Sequence, residues 1–257
     1  MRLFRRGASG LGRTAFGGGG GAFDPATITP SFWYDPSDLS TLFQDTAGTT
    51  AVTTHNDVVR RINDKSGNGH HQLVVGAGSG GFMQYKTSGG LHWLENQGVD
   101  YFNIAGPFGT ISEGTVAMAA RKLSGSNAKM FELAKSNGWG AQHWSDDNHY
   151  FDVNGFSGAN RISGATAASG VDYVSSFDNS VTNSRSFIRV DKTQVASDAS
   201  GESSTTTGDF TLMANEGGGN VFNARFYGAI GKIGTVMTPT ELGNVETWLG
   251  AKQGRTI

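Results

Sequence analysis

The chain has no cysteine, so neither disulfides nor thiolate metal sites can hold its fold, and its redox compartment cannot be read. Stability must come from a packed core. Charge is also scarce: acidic and basic residues make up 16% of the chain and nearly cancel, with a formal net charge of −2 and a pI near 6.3. Nucleic-acid binders usually show a strongly basic domain, so no nucleic-acid partner is expected for the main body. No stretch approaches the ~20 apolar residues that span a bilayer, and membrane insertion is not expected. The opening MRLFRRGASGLGRTAFGGGGG is basic but lacks the apolar run of ~7–15 residues found in a signal peptide. Export by a general secretory route is not indicated; a protein made in the cytoplasm and released by lysis would look the same. The chain also contains no G-x-S-x-G elbow, no H-E-x-x-H and no phosphate-binding P-loop.

What is abundant is glycine, 39 of 257 residues, alongside 11% aromatics. Many turns joining aromatic and β-branched strands give that profile. Thr115 to Leu123, Met130 to Lys135, Trp139 to Trp144, His149 to Val153, Val171 to Phe177, Ser186 to Val195 and Asp209 to Met213 read as strands. Strands at this spacing indicate an all-β sandwich. Ser197 to Gly208 reads as a long exposed loop. Near the C-terminus, Thr238, Pro239 and Glu241 form a capping-box signature, and Leu242, Val245, Trp248 and Leu249 share one helical face. One short helix is expected there, with Gly254 just past its end.

The first 22 residues differ from the rest. Arg2, Arg5, Arg6 and Arg13 precede any acid, and Gly17 to Gly21 are consecutive. Alone, such a segment buries too little apolar surface to offset its ordering entropy. Residues 1–22 are therefore read as an extended basic arm, ordered by a partner subunit or along its own domain, and 23–257 as one domain.

Four segments resemble the concanavalin A-like, or laminin G-like, jelly rolls of phage structural proteins: PSFWYDPSDLSTLF at 30–43, RINDKSGNGHH at 61–71, GLHWLENQGVDYF at 90–102 and FYGAIGKIGTVMTPTELGNVETWLGAKQG at 226–254. The third departs from the family form, carrying Asn96 and Gln97 where an aromatic and an aspartate usually precede the glycine. The resemblance implies a two-sheet antiparallel jelly-roll sandwich with one short C-terminal α-helix. It implies less about function, because this fold hosts lectins, hydrolases and purely structural domains.

Hydrolases on this fold commonly carry their paired carboxylates as E-x-D-x-x-E on one strand. That string is absent, and Glu95, Glu113, Glu132 and Glu202 lack acids at the required spacings. A non-enzymatic protein without cofactor is expected. Asp64, Ser66 and Asn68 copy the first half of a calcium loop, but position twelve is Val75. A tight turn held by Asx side chains is the preferred reading, with calcium as the alternative. His70 and His71 are adjacent, so strand geometry would point them to opposite faces rather than at one metal.

The richest polar and aromatic cluster lies on an expected hairpin: Trp144, Asp146, Asp147, Asn148, His149 and Tyr150. Sugars present apolar C–H faces and hydroxyl rims, which suit a flat ring beside carboxylates and amides. Alternation along the strand requires that some of Trp139, Trp144 and Tyr150 pack inward. Trp33, Trp93 and Trp248 are expected in the core. Together with the resemblance, these features give the expectation of a virion surface protein (head fibre, head spike or tail-associated) of a phage or gene transfer agent. Its arm would anchor it to other virion subunits, as an oligomer within the particle, and its hairpin would bind host-surface polysaccharide. It would be synthesised in the bacterial cytoplasm and released by lysis. A purely structural decoration protein is the alternative, and a glycan hydrolase the third.

Overall fold

The computed structural model describes residues 23–75, 81–96, 100–123, 127–133, 138–154, 160–165, 168–203, 208–215 and 217–257. The arm, with Arg2, Arg5, Arg6 and Arg13, lies outside the described residues. The strands are β1 (Phe32–Tyr34), β2 (Leu42–Phe43), β3 (Val58–Val59), β4 (Arg61–Ile62), β5 (Gln72–Val75), β6 (Met83–Ser88), β7 (Leu91–Asn96), β8 (Tyr101–Ile104) and β9 (Glu113–Lys122). They continue with β10 (Ala128–Leu133), β11 (Trp139–His143), β12 (Asn148–Val153), β13 (Arg161–Ala165), β14 (Asp172–Ser180), β15 (Arg185–Val190), β16 (Thr193–Asp198), β17 (Phe210–Leu212) and β18 (Ala224–Ile233). An α-helix, α1 (Pro239–Lys252), follows.

Among the described residues two nine-stranded antiparallel sheets face each other. The first runs β16-β15-β14-β9-β18-β7-β6-β3, with β1 added against β18; the second runs β13-β12-β11-β10-β17-β8-β5-β4-β2. This is an all-β jelly-roll sandwich. Alternation along β9 shows how the layers are built. Val116, Met118 and Ala120 enter the main core between the sheets, while Ala117 and Ala119 face the helix with Val174, Ile230, Leu242, Val245 and Leu249. The small alanines let α1 approach the sheet closely, so β9 is buried on both faces.

The helix begins as its sequence predicts. The Thr238 side chain accepts from the Glu241 backbone N–H at 3.2 Å, and the Glu241 carboxylate accepts from the Thr238 N–H at 2.7 Å, a complete capping box. Gly254, just beyond the end, has φ of +71°. Trp33 and Trp93 are buried beneath the helix, and Trp248 packs half-buried and edge-on against Trp33 at 5.8 Å between ring centroids. Gly231 is dictated by packing: opposite Phe32 in the ladder, a Cβ there would lie 2.2 Å from the Phe32 ring.

One expected strand is two. Ser186 to Val195 breaks at Asp191 and Lys192, whose φ values of +45° and +67° make a two-residue hairpin turn between β15 and β16. The usual Asn-Gly signal is missing because tertiary contacts hold Asp191: it accepts from the Val174 N–H at 2.9 Å and pairs with Arg255. β16 also claims Ser197 and Asp198 from the expected loop, of which residues 204–207 lie outside the described residues.

Candidate functional site

Strands β11 and β12 form a hairpin in which His143 pairs with His149 and Gln142 with Tyr150. The turn is closed by the Asp147 N–H donating to the Trp144 carbonyl at 3.2 Å and the Trp144 N–H donating to the Asn148 carbonyl at 3.0 Å. Asp147 adopts φ of +61°, a left-handed position that aspartate tolerates better than most residues. A three-residue loop of this kind reverses the chain and leaves the side chains on either side of it in fixed register.

Alternation then separates two faces. Ala141, His143, His149 and Phe151 point between the sheets; Gln142, Trp144, Tyr150 and Asp152 lie on the outer face of the second sheet. On that outer face Trp144 and Tyr150, both half-buried, lie against each other with ring centroids 4.2 Å apart and planes 34° apart. The Arg161 guanidinium, from neighbouring β13, sits 4.9 Å from the Trp144 ring and 5.4 Å from the Tyr150 ring. A circuit of hydrogen bonds fixes all three. Trp144 Nε1 donates to Gln142 Oε1 at 2.7 Å, the Gln142 amide donates to Asp152, and Asp152 takes two bonds from Arg161, at 2.5 and 2.8 Å. Pairing with Asp152 raises the Arg161 pKa still further.

Asp146 organises the tip. It accepts from the Asn148 N–H at 3.1 Å, the Asn148 side-chain amide at 2.9 Å and the Tyr150 hydroxyl at 2.7 Å. The Tyr150 hydrogen bond, followed by those from Asn148, holds the Asp146 carboxyl below its usual range, and the same bond raises the Tyr150 phenol. Asp147 accepts from the Ser169 N–H at 3.3 Å. Five of the six expected residues, Trp144, Asp146, Asp147, Asn148 and Tyr150, are therefore brought together. His149 departs from the expectation: it is fully buried between the sheets, because the period-two alternation that exposes Tyr150 turns its neighbour inward. Arg161 was not foreseen. Its signal was the cross-strand pairing of Arg161 with Asp152, hidden because the RISGA stretch carries weak strand character.

The Asp64 turn has used its acceptors on the protein. Its carboxylate takes the Trp33 N–H at 2.9 Å, the Ser66 N–H at 2.9 Å, the Ser66 hydroxyl at 2.7 Å and the His70 N–H at 3.1 Å. The Asn68 amide donates to the Pro30 and Ser31 carbonyls, and His71 Nδ1 accepts from the Asp64 N–H at 3.1 Å. Asp64, Ser66 and Asn68 thus pin β1 to the turn. Among the described residues no group of three or more acids and histidines is placed to hold a metal ion. Asn96 is likewise structural, its amide donating to the Asp100 and Phe222 carbonyls at 3.1 and 2.9 Å; Gln97 lies outside the described residues.

No protein-family model matches the chain, and no curated protein matches it. Solved structures do resemble it. Domain 4 of AbnA, a GH43 extracellular arabinanase from Geobacillus stearothermophilus solved in complex with arabinotriose, superposes with a TM-score of 0.55 at 14% identity, covering 84% of this chain and 98% of that one. The binding domain of Botulinum neurotoxin DC in complex with rat synaptotagmin II superposes with a TM-score of 0.54 at 9% identity, covering 86% of this chain and 52% of that one. At these identities the likeness is one of architecture, and the architecture this chain shares with them is the two-sheet antiparallel sandwich.

Proposed function

We propose that the chain is a non-enzymatic glycan-binding domain whose contact surface is the outer tip of the β11–β12 hairpin. The observation that carries the reading is the Trp144–Tyr150 pair, half-exposed and locked by Arg161 beside the carboxylate of Asp146. A rigid aromatic surface with adjacent acceptors suits a sugar's apolar face and hydroxyl rim at low entropic cost. The arabinotriose complex of a domain with this architecture supports the same reading. A non-catalytic role is supported by the carboxylates themselves. Glu132 and Asp152 share one row across β10, β11 and β12, flanking Gly140, but each is buried and held by a cation, Lys129 and Arg161 respectively. A general acid needs access to the glycosidic oxygen, which a carboxylate buried against its own cation lacks.

The finer proposal places this domain on the surface of a phage or phage-like particle, anchored by residues 1–22, with host polysaccharide as its ligand. It rests on the four sequence segments and on the basic, glycine-rich composition of the arm. Incorporation into particles, measured after supplying a chain lacking residues 1–22, should be lost while the domain stays folded; normal incorporation would remove the anchor. A decoration role without sugar is the competing reading. It is favoured by the fact that Asp146, Gln142 and Arg161 already bond one another's neighbours, which would stiffen a protein contact equally well. A printed array of bacterial-surface polysaccharides, probed with the full chain and with Trp144→Ala, separates the two. Retention of specific glycans by the parent and their loss in the variant supports sugar binding; no retention at all favours decoration.

A further inference from the structure

Directly behind the aromatic pair, on the inward face of the same two strands, lies a second pair of rings. His143 and His149 are cross-strand partners, stacked with centroids 4.6 Å apart and planes 25° apart, and both are fully buried. Each is the chain neighbour of an outer ring, His143 of Trp144 and His149 of Tyr150. The inner pair also ties the hairpin to the opposite sheet. His143 Nδ1 shares a hydrogen bond with the Tyr173 hydroxyl at 2.8 Å, and His149 Nε2 shares one with the Ser175 hydroxyl at 2.7 Å, both from β14. From β9, Lys122 donates its ammonium to the carbonyls of His143 and Trp144 at 3.0 and 2.7 Å.

We infer that this inner pair is a pH-sensitive latch on the outer surface: acidification opens the β11–β12 hairpin and releases whatever ligand the outer tip holds. Among the described residues, the charged and titratable groups facing the imidazoles include Lys122 from β9, Tyr173 from β14 and Asp147 from the turn, whose Oδ1 lies 3.9 Å from His143 Nε2. The hydroxyls of Tyr173 and Ser175 can reverse their bonds to a protonated ring. What the site does not accommodate is two imidazolium rings in van der Waals contact beside an ammonium in a buried pocket. Burial, then His143 and Lys122, push the His149 pKa well below its ordinary value. The sign follows from linkage. A ring that resists protonation when folded takes its proton only when the hairpin opens. The closing free energy is fully present above the unfolded value of about 6.5 and is lost as pH falls from there toward the folded value. His149 alone makes the opening constant rise by up to about tenfold per pH unit.

The latch rests on the glycan reading only for its consequence, so it is tested first without sugar. Hydrogen exchange of residues 139–153, expressed as protection factors on the full chain between pH 7.5 and 5, should show opening that increases below pH 6.5 and stays local to the hairpin. The His143→Gln/His149→Gln variant, whose amides keep partners for Tyr173 and Ser175, should lose that dependence. Should it not fold, nitrogen shifts of the histidine rings in the unaltered protein decide the matter: His149 must remain neutral in the closed state below pH 6.5. An ordinary His149 titration with unchanged hairpin protection would overturn the latch, as would equal acid opening in the double variant. The polysaccharide array read at pH 7.5 and again at pH 5 then tests the consequence. Signals at pH 7.5 that persist at pH 5 defeat the latch but leave sugar binding standing; an empty array at pH 7.5 defeats sugar binding and leaves the exchange result standing.

Discussion

Replacing Trp144 by alanine separates a surface tryptophan from a core one, because Trp139, five residues earlier at the start of β11, supplies the internal control. Trp139 is wholly buried, packs edge-on against Phe151 at 5.6 Å, and sits close enough to Gly114 that a Cβ there would meet its ring at 2.8 Å. Its truncation leaves a cavity in the main core and should cost ~3–5 kcal/mol. Trp144 is half-buried, and its losses are countable: one ring contact with Tyr150 at ~0.5–1.5 kcal/mol, one exposed cation–π contact with Arg161 at ~0.5–1 kcal/mol, and the hydrogen bond to Gln142. Those terms overlap, and water can solvate the freed Gln142 oxygen, so a total of about 1–2 kcal/mol is expected. For a domain of this size 1 kcal/mol moves the melting temperature by ~2–4 °C. Trp144→Ala should therefore lower it by ~2–8 °C and Trp139→Ala by ~6–20 °C. Differential scanning calorimetry on both variants gives the comparison. Equal losses, or a larger one for Trp144, would refute the assignment of Trp144 to the surface and with it the proposed contact.

Arg161→Met leaves the buried Asp152 carboxylate without its cation and should cost about 3 kcal/mol, more than Arg161→Met combined with Asp152→Leu; urea midpoints of the three proteins test this non-additivity. Gly231→Ala forces a methyl into the Phe32 ring and should destabilise by ~1–3 kcal/mol despite being a single carbon, again by urea midpoint. Thr238→Ala removes the helix cap and should lose about 1 kcal/mol with an unchanged urea m-value.

The sandwich was legible because strand spacing, aromatic content and turn residues agreed, and the helix because Thr238, Pro239 and Glu241 announce its start within four residues. The hairpin site was half legible. Clustering of Trp144, Asp146, Asn148 and Tyr150 is visible along the chain, since a three-residue loop keeps sequence neighbours together in space. Which side each residue faces is not visible until the register is set, and His149 shows the cost of that: one position decides between the outer surface and the core. Arg161 was invisible for a different reason. It reaches the site from the adjoining strand, and nothing local in RISGA marks it as the cation for Asp152. The Asp191–Lys192 turn was missed likewise because its positive φ values are held by Val174 and Arg255, residues distant in sequence.

The central claim, that the hairpin tip is a sugar contact, is tested most directly by following the indole N–H signals of the five tryptophans during titration with an oligosaccharide retained on the array. Trp144→Phe assigns the signal. The indole of Trp144 and the side-chain amide of Gln142, to which it donates, should shift together with saturation, while the buried indole of Trp139 stays still. Binding that moves other signals and leaves Trp144 and Gln142 unchanged would contradict the claim.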